Sequence, residues 1–430
     1  MAKPRPPLPA GPYVVVGLAR SGVAVSLALR ARGEEVIGCD AGAGSDPRLA
    51  EASRRLSAAG VEVQLDASGE NLAASAGTLI KSPGVPQSAP VVVAARRRGV
   101  PVLGELEVAW RLLDNEFVAV TGTNGKTTTT EWIGHIHREA GLPVAVAGNV
   151  GTATSTLIGR LDPETTVVCE ASSFQLEDTE AFAPEAAVLL NLEPDHLDRH
   201  GTMEAYTAAK LRIFANQDGE DIAVVPPEGL SISARARVIR YGEGPERELA
   251  DEIELPGEHN RRNGMAAAAT CLARGVDPAA VAEGLRTFPG VAHRLEPIAE
   301  IDGVEWINDS KATNVASTIV ALRSFAGGVR LIAGGRGKRQ DFSALAPFVR
   351  ERCTAVYLIG EAAPELWAAL EPAGVELSDA GDLASAVAEA SAVAEPGETV
   401  LLSPACASFD QYRDFEARGE HFRELVEGLE

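Results

Sequence analysis

The residues with the clearest chemical potential form a glycine-rich loop between a strand pattern and a helix pattern. The apolar run Phe117 to Thr121 precedes the loop, and a helical stretch begins at about Thr129. The loop residues are Gly122, Thr123, Asn124, Gly125, Lys126, Thr127 and Thr128. Glycines let backbone amides turn toward phosphate oxygens, a helix N-terminus favours anions, a lysine meets terminal phosphates, and a threonine hydroxyl binds Mg²⁺. The segment therefore predicts a nucleotide-binding loop.

This loop departs from the common GxxxxGK[ST] pattern, because Val120 takes the position of the leading glycine. The match is therefore to a tighter variant of the phosphate loop. An ordinary glycine-rich turn between a strand and a helix is the alternative. The order of strand, loop and helix favours nucleotide binding over that alternative.

Two further candidate residues follow neighbouring strand patterns. Glu170 ends the apolar run that begins at Val167, where its carboxylate could hold the magnesium ion that Thr127 also reaches. His196 lies beside Asp195 just past another apolar run, and the ends of parallel strands are the usual rim of an active site. A solvent-facing glutamate and an ordinary loop histidine are the alternatives, and the position of Glu170 favours the metal.

Lysine is rare in this sequence, because nearly all of the 39 Lys and Arg residues are arginine. The only lysines are Lys3, Lys81, Lys126, Lys210, Lys311 and Lys338. A lysine that persists in such a background is a candidate for work that needs a compact ammonium or a nucleophilic amine. Chance survival is the alternative, and it suffices for Lys3. From the local sequence alone, Lys210 is best interpreted as a surface lysine on an amphipathic helix.

A second glycine-containing turn lies near the N-terminus. Gly17 and Gly22 follow a strand pattern, but their spacing departs from the GxGxxG fingerprint of dinucleotide-binding turns. Asp40 ends the next strand pattern, and the turn Ser82-Pro83-Gly84 follows a later one. On its own, the stretch is a generic turn between a strand and a helix.

Short apolar runs alternate with helical patterns along the whole chain, which predicts an α/β fold built on mostly parallel sheets. We expect three domains, a Rossmann-like N-terminal domain, a central phosphate-loop domain and a Rossmann-like C-terminal domain, with bounds 1–103, 104–290 and 291–430. The polar segment 217–257 is expected to contain a few short edge strands. Helices are expected from Asn260 to about Phe288.

The composition excludes several classes of protein. The chain has 430 residues and a formal net charge of −22, so its long-range electrostatic field repels nucleic acid and anionic membranes. No apolar run approaches the length of a membrane-spanning helix, and the proline-rich N-terminus lacks a secretory signal, so we expect a cytoplasmic protein. The five cysteines are scattered, without a metal or disulfide pattern.

The TGTNGKTT loop resembles that of the Mur ligase and folylpolyglutamate synthetase superfamily. Matching segments recur through the central region: Gly148-Asn149-Val150-Gly151, residues 170–176 (EASSFQL), 191–198 (NLEPDHLD), 209–212 (AKLR) and 257–260 (GEHN), with Asn263. In the last third, His293-Arg294, residues 308–314 (NDSKATN) and 403–411 (SPACASFDQ) look like the D-glutamate-adding branch of the Mur ligases. The resemblance spans essentially the whole chain.

This resemblance implies an ATP-dependent ligase that activates a carboxylate as an acyl phosphate before an amine attacks. The implied substrates are UDP-N-acetylmuramoyl-L-alanine, D-glutamate and ATP, and the implied process is the synthesis of peptidoglycan precursors for the cell wall. Mg²⁺ is the implied metal, the lysine matching Lys210 is carbamylated to N6-carboxylysine in the family, and the protein is expected to be a monomer.

The same resemblance assigns roles to individual residues. Lys126, Lys210, His196 and Lys311 would be catalytic. The remaining ATP-binding residues, beyond the loop itself, would be Asn260, Asn263, Arg294, Asp309 and Lys311. The metal ligands would be Thr127, Glu170, His196 and carbamylated Lys210. D-glutamate would be bound by Thr313, Lys338, Ser408 and the backbone near Phe415. The UDP-linked substrate would be bound by Gly17, Leu18, Ala19, Arg20, Ser21, Asp40, Ser82, Gly84, Asn149 and His196.

Several alternatives remain open at this level. Another Mur ligase or a folylpolyglutamate synthetase-like ligase shares the chemistry, although the latter needs no UDP-binding domain ahead of the phosphate loop. A nucleotide-dependent oxidoreductase built on the first domain would leave Glu170 unexplained. A regulatory nucleotide-binding module without catalysis would give no role to the cationic side chains of the C-terminal domain. Asn260 and Asn263 fit a helix cap as well as a nucleotide contact. Arg339 stands where the family more often has glycine.

Overall fold

The computed structural model describes residues 3–149, 151–228, 232, 234–255, 257–337 and 340–429, apart from the side chain of Asp198. The chain divides into two compact units, Met1–Phe288 and Pro289–Glu430. The first unit contains two sheets and the second contains one, and each unit is described by itself. The mixed α/β fold with parallel sheets is confirmed, whereas the domain bounds at 103/104 and 290/291 stay a prediction.

The first sheet of the first unit is parallel throughout, with the order β3-β2-β1-β4-β5. Its strands are β1 (Tyr13–Val16), β2 (Val36–Cys39), β3 (Glu62–Gln64), β4 (Thr78–Lys81) and β5 (Val102–Gly104). Its helices are α1 (Arg20–Ala31), α2 (Pro47–Ala58) and α3 (Pro90–Arg97), and α4 (Glu105–Leu112) connects it to the next sheet. Every residue of β1 and β4 is buried, as expected for inner strands covered on both faces.

The second sheet is also parallel, with the order β11-β10-β9-β6-β8-β7. Its strands are β6 (Phe117–Thr121), β7 (Val144–Gly148), β8 (Thr166–Glu170), β9 (Ala186–Leu189), β10 (Ile222–Val225) and β11 (Arg237–Arg240). Its helices are α5 (Lys126–Glu139), α6 (Ser173–Leu176), α7 (Leu197–His200), α8 (Met203–Leu211), α9 (Glu258–Ala273) and α10 (Pro278–Arg286). Because β6 lies between β8 and β9, the carboxyl ends of these three strands meet at one edge.

The sheet of the second unit has the order β12-β13-β17-β14-β15-β16, and only β12 runs antiparallel to its neighbour. Its strands are β12 (Glu296–Ile301), β13 (Val304–Asn308), β14 (Val329–Gly334), β15 (Cys353–Ile359), β16 (Glu376–Gly381) and β17 (Thr399–Leu402). Its helices are α11 (Val315–Leu322), α12 (Ala346–Arg352), α13 (Ala363–Leu370), α14 (Leu383–Val393) and α15 (Phe415–Glu427). Hydrophobic clusters cover both faces.

The polar segment 217–257 differs from the expectation that it holds only edge strands. β10 is an inner strand between β9 and β11, and all four of its residues are buried. Of the two strands in the described part of this segment, β11 is the one at the edge of the sheet. The short run IAVV of β10 carries the signal of a buried strand, but the surrounding polar residues obscure it. Within the described residues, no helix is long and apolar enough to cross a membrane.

The N-terminal segment is fastened to the second sheet by two basic residues. The Lys3 ammonium pairs with Asp221, and the Arg5 guanidinium donates to the carbonyl oxygens of Trp110 and Asn115. The Arg5 side chain is 3% exposed and lies 4.7 Å from the centre of the Trp110 ring. Removal of this guanidinium would leave buried carbonyl groups without a donor, which is costly.

We therefore expect Arg5→Ala to lower the free energy of unfolding by about 2 to 4 kcal/mol. Urea denaturation followed by circular dichroism measures this change. Arg54→Ala is the matched control, because the Arg54 side chain is 69% exposed and pairs with the exposed Glu51, so its effect should stay within about 0.5 kcal/mol. Equal destabilisation by the two substitutions would contradict the anchoring role of Arg5.

Candidate active site

The glycine-rich loop connects β6 to α5, as its sequence predicts. Gly122 and Gly125 have φ angles of +153° and +85°, which favour glycine. A Cβ atom at Gly125 would lie 2.2 Å from Oδ1 of Asn263, so the Asn263 side chain packs directly on the loop. The Lys126 Nζ atom donates to the carbonyl oxygens of Gly122 (3.0 Å) and Thr123 (2.8 Å). The ammonium is therefore held over the loop whose amides are predicted to bind phosphate.

Asn191 fixes the shape of this loop, a role that the sequence analysis did not assign. Its Oδ1 atom accepts hydrogen bonds from the backbone N–H groups of Thr123 (3.1 Å) and Asn124 (2.8 Å). Its Nδ2 atom donates to the Asn124 carbonyl at 3.0 Å. The Thr123 hydroxyl lies 3.1 Å from the Tyr206 hydroxyl. An asparagine just past the end of a neighbouring strand was the available signal for this contact.

The two residues predicted to hold magnesium lie together. Parallel pairing of β6 with β8 aligns Val120 with Glu170, which brings the Glu170 carboxylate to the start of α5. The Thr127 hydroxyl donates to Glu170 Oε2 at 2.7 Å, and Asn149 Nδ2 donates to Glu170 Oε1 at 3.1 Å. A buried carboxylate beside a hydroxyl is the oxygen ligand set that suits a hard divalent cation.

The described residues provide a pair of metal ligands here rather than a larger cluster. Across the described residues, no group of three or more His, Cys, Asp or Glu side chains is arranged to hold a metal ion. Mg²⁺ usually keeps several water molecules and is bound through one or two carboxylates together with substrate phosphates. The pair Thr127 and Glu170 fits that mode of binding.

A cleft of about 260 Å³ opens beside the phosphate loop. Its lining residues are Lys126, Asn149, Ser172, Ser173, Phe174, Asp195, His196, Tyr206 and Lys210. Three of the predicted catalytic residues, Lys126, His196 and Lys210, therefore share one cleft. The cleft also contains Asn149, which the sequence analysis assigned to the UDP-linked substrate.

Lys210 is the most unusual residue of the cleft. The interpretation of this lysine as a surface residue is wrong, because it is 2% exposed. Its Nζ atom donates to the Gly122 carbonyl at 2.6 Å and lies 4.7 Å from the centre of the Tyr206 ring. Burial, reinforced by the nearby Lys126 charge, lowers the pKa of Lys210 to about 7. A lysine with such a pKa has a substantial neutral, nucleophilic fraction at neutral pH.

His196 occupies the rim of the cleft and is partly exposed to solvent. Its backbone has a φ angle of +52°, and its N–H group donates to Asp195 Oδ1 at 2.9 Å. Its ring packs edge-on against Phe174, with the ring centres 4.7 Å apart. A non-glycine residue with positive φ at the mouth of a cleft is a common feature of functional sites.

The N-terminal turn brings together most of the residues predicted to bind the UDP-linked substrate. The Asp40 carboxylate accepts hydrogen bonds from the backbone N–H groups of Leu18 (2.7 Å) and Gly42 (2.8 Å). The Ser82 hydroxyl donates to the Gly17 carbonyl at 2.6 Å. A Cβ atom at Gly22 would lie 1.9 Å from that same carbonyl oxygen, so only glycine fits there.

Other residues of this turn point toward the second sheet or begin the helix. Ala19 precedes α1, and Arg20 and Ser21 form its first turn. An Arg20 guanidinium nitrogen donates to the Gly151 carbonyl at 2.6 Å. The predicted UDP-binding turn therefore lies beside the segment that contains Asn149, within the same compact unit.

The second unit gathers its predicted nucleotide-binding residues at the end of β13. The buried Asp309 carboxylate accepts hydrogen bonds from the Ser403 hydroxyl (2.7 Å) and the Leu295 N–H group (3.3 Å). Burial raises the pKa of Asp309 to about 7. The Lys311 N–H group donates to the His293 carbonyl at 3.0 Å, which holds Arg294 and Lys311 on adjoining segments.

The predicted amino-acid-binding residues of this unit include one unpaired buried hydroxyl. Ser408 is 2% exposed, and its Oγ atom has no hydrogen-bond partner within the described part of the chain. Thr313 lies next to the loop of Lys311, and the Phe415 ring centre lies 5.8 Å from the Lys311 ammonium. Lys338, like Arg339, lies outside the described residues.

Arg418 is a further site residue that the sequence analysis missed. It is 1% exposed, and its guanidinium donates to both the hydroxyl (3.0 Å) and the carbonyl (2.8 Å) of Ser310 and to the Cys406 carbonyl (3.2 Å). Burial lowers its pKa to about 10. The residue joins the segment 308–314 to the segment 403–411, which are far apart in sequence.

Comparison with known proteins agrees with this geometry. The Mur ligase middle domain matches residues 120–244, and the Mur ligase glutamate ligase domain matches residues 293–406. The UDP-N-acetylmuramoylalanine–D-glutamate ligase of Pelotomaculum thermopropionicum is 43% identical over 97% of both chains. The enzyme of the same name from Acidobacterium capsulatum is 42% identical over 96% of this chain and 95% of its own.

Solved structures support the same fold at lower sequence identity. UDP-N-acetylmuramate–alanine ligase MurC from Thermotoga maritima has a TM-score of 0.61 and 21% identity, covering 98% of this chain and 100% of its own. MurF from Acinetobacter baumannii has a TM-score of 0.59 and 20% identity, covering 97% and 93%. The chain therefore belongs to the Mur ligase family, in the branch whose members are named UDP-N-acetylmuramoylalanine–D-glutamate ligase.

Proposed function

We propose that this enzyme is an ATP-dependent ligase that joins D-glutamate to UDP-N-acetylmuramoyl-L-alanine in the cytoplasm, as a monomer, during the synthesis of peptidoglycan precursors. The observation that carries the proposal is the cleft beside the phosphate loop that Lys126 and Lys210 line, together with the Thr127–Glu170 pair, which contacts the cleft residue Asn149 through Glu170. This combination suits transfer of a phosphate to a carboxylate, in a chain 43% identical to a ligase of that name.

The first step is attack of the alanyl carboxylate oxygen on the γ-phosphorus of ATP. The bond between the γ-phosphorus and the bridging oxygen breaks, ADP leaves, and an acyl phosphate results. Lys126 stabilises the negative charge on the phosphate oxygens. Thr127 and Glu170 would hold Mg²⁺, which supplies further neutralisation of the phosphate charge when it is bound. The amides of the phosphate loop orient the triphosphate for in-line transfer.

Lys210 contributes through a modification of its side chain. A neutral amine adds to carbon dioxide: the nitrogen–carbon bond forms, one N–H bond breaks with release of the proton to solvent, and the resulting carbamate is an anion where the ammonium was a cation. The low pKa of Lys210 favours the neutral amine. The resulting carboxylate, with His196, would hold a second divalent cation near the phosphate loop, because a cation site requires ligands of negative charge.

The second step is attack of the D-glutamate amine on the carbonyl carbon of the acyl phosphate. The amine loses a proton, the tetrahedral species collapses, and the bond to the phosphate oxygen breaks, leaving an amide and inorganic phosphate. Thr313, Lys338, Ser408 and the backbone near Phe415 bind the carboxylates of D-glutamate. The unpaired, buried hydroxyl of Ser408 supports this assignment, because a carboxylate would satisfy it.

Further residues of each unit are assigned to ATP. Asn260 and Asn263 contact it beside the phosphate loop, whereas Arg294, Asp309 and Lys311 of the second unit bind its ribose and phosphates. Exclusion of water from the site protects the acyl phosphate from hydrolysis.

The substrate specificity can be tested by ADP release with UDP-N-acetylmuramoyl-L-alanine and one amino acid at a time. We expect D-glutamate to support turnover, whereas L-glutamate, L-lysine and diaminopimelate give only the background rate. Omission of the UDP-linked substrate is the control and should also leave the background rate. A response to L-lysine or diaminopimelate would point to another Mur ligase activity instead.

A further inference from the structure

Arg199 makes an unusual set of contacts with the loop that follows β4. It lies in the short helix α7, three residues after His196. One terminal nitrogen of its guanidinium donates to the carbonyl oxygens of Pro83 (2.9 Å) and Val85 (2.8 Å). The other terminal nitrogen donates to the Gly84 carbonyl at 3.2 Å. A single side chain of α7, a helix that belongs to the second sheet, therefore binds three consecutive carbonyls of the loop that follows β4 of the first sheet.

The Arg199 guanidinium also contacts Phe174, which lines the cleft, and Glu177. Its guanidinium carbon lies 4.4 Å from the centre of the Phe174 ring, and a terminal nitrogen lies 3.4 Å from Glu177 Oε1. Phe174 also packs against the His196 ring. The planar guanidinium suits this position, since it can stack on a ring while its edge donates to several acceptors. A lysine ammonium has three donors but no planar face that stacks on a ring, so it cannot do both at once.

A second buried cation supports the same loop. Lys81, at the end of β4, is fully buried, donates to the Val85 carbonyl at 2.7 Å and pairs with Asp178 at 2.7 Å. Its ammonium also lies 3.7 Å from Glu177, the partner of Arg199. The loop 82–85 is thus held by Arg199 and Lys81 on one side, while its Ser82 hydroxyl holds the Gly17 carbonyl on the other.

We propose that Arg199 is a positioning residue that sets the distance between the loop 82–85 and the catalytic cleft. This inference rests on the proposed function, in which the loop binds the UDP-linked substrate and the cleft activates the carboxylate of that same molecule. The two ends of one substrate must fit two sites at a fixed separation. A shift of about 1 Å in that separation is enough to impair catalysis strongly.

The proposal predicts an effect on one substrate only. Arg199→Met should lower kcat/KM for UDP-N-acetylmuramoyl-L-alanine by about 10- to 100-fold, whereas KM for ATP stays within about twofold of the wild-type value. Arg199→Lys should recover only a small part of the loss, because an ammonium has no planar face that stacks on Phe174 while its donors reach the three carbonyls. Steady-state ADP release at varied concentrations of each substrate measures these values.

Arg212→Met is the matched control. Its guanidinium also donates to backbone carbonyls, at Leu176 and Thr179, but these belong to the second sheet and its connections rather than to the loop 82–85. We expect a comparable change in melting temperature without a selective change in kcat/KM for the UDP-linked substrate.

Equal kinetic effects of Arg199→Met and Arg212→Met, or a parallel rise in KM for ATP, would overturn the positioning role. Should Arg199→Met fail to fold, Arg199→Gln provides the same comparison with a side chain that retains hydrogen-bond donors. Failure of the wild-type enzyme to release ADP with D-glutamate would instead count against the proposed function. The two failures are therefore distinguishable.

Discussion

Replacement of Lys126 by Ala is expected to lower kcat for D-glutamate-dependent ADP release by about 100- to 1,000-fold. The Lys126 ammonium is held above the phosphate loop by the carbonyls of Gly122 and Thr123, where it would meet the charge that develops on the transferred phosphate. A methyl group at this position leaves that charge without its main protein partner. ADP release at saturating concentrations of all three substrates measures the effect.

The control for Lys126 is Lys3→Ala, which removes a lysine whose ammonium pairs with Asp221 away from the cleft. This variant should retain kcat within about twofold, although its melting temperature should fall, because the buried Asp221 carboxylate loses its ion-pair partner. Melting curves of both variants separate a loss of catalysis from a loss of folding. Retention of more than about one tenth of kcat by Lys126→Ala would exclude the assigned role.

The site around the phosphate loop could be predicted largely from sequence, because its parts follow from the geometry of a parallel sheet. The loop and Glu170 each follow an apolar strand, and adjacent parallel strands bring such ends together. The contact between Thr127 and Glu170 is a consequence of that register. The strand Phe117–Thr121 that precedes the loop has the predicted bounds.

Residues that act through packing between distant segments could not be predicted in this way. The helix that contains Lys210 is only weakly amphipathic, so its sequence does not indicate that the lysine is buried against Gly122. Asn191, Arg199 and Arg418 each bind backbone carbonyls or amides of segments far away in the chain. Local periodicity contains no information on such contacts.

Two strands of the second unit are difficult to predict from sequence for a different reason. β12 and β16 are edge strands of sequence EPIAEI and ELSDAG, in which polar residues, proline or glycine interrupt the apolar pattern. Edge strands are exposed on one side and often carry such residues, which limit pairing with other chains. Their sequences therefore resemble loops more than the buried strands at the centre of the sheet.

Replacement of Lys210 by either Ala or Arg is expected to lower kcat by about 100- to 1,000-fold. Lys210→Arg keeps the positive charge, so it would preserve activity if Lys210 acted as a cation. A guanidinium does not form the carbamate on which the proposed second metal site depends, so activity is expected to be lost. With a pKa of about 7, rather than the usual value of 10.5, about half of the Lys210 amine is neutral near pH 7 and can react with carbon dioxide.

Labelling with ¹³C-bicarbonate tests the modification directly. The wild-type enzyme should show a carbamate carbon resonance that is absent from Lys210→Arg. Lys3→Arg should retain this resonance, because Lys210 is unchanged in that variant and the Lys3 ammonium, held in an ion pair with Asp221, is not expected to form a carbamate. Activity of the wild type should also fall in buffers freed of carbon dioxide. If Lys210→Arg keeps more than about one tenth of kcat, or the resonance persists in that variant, Lys210 acts as an ammonium and the second metal site requires a different ligand.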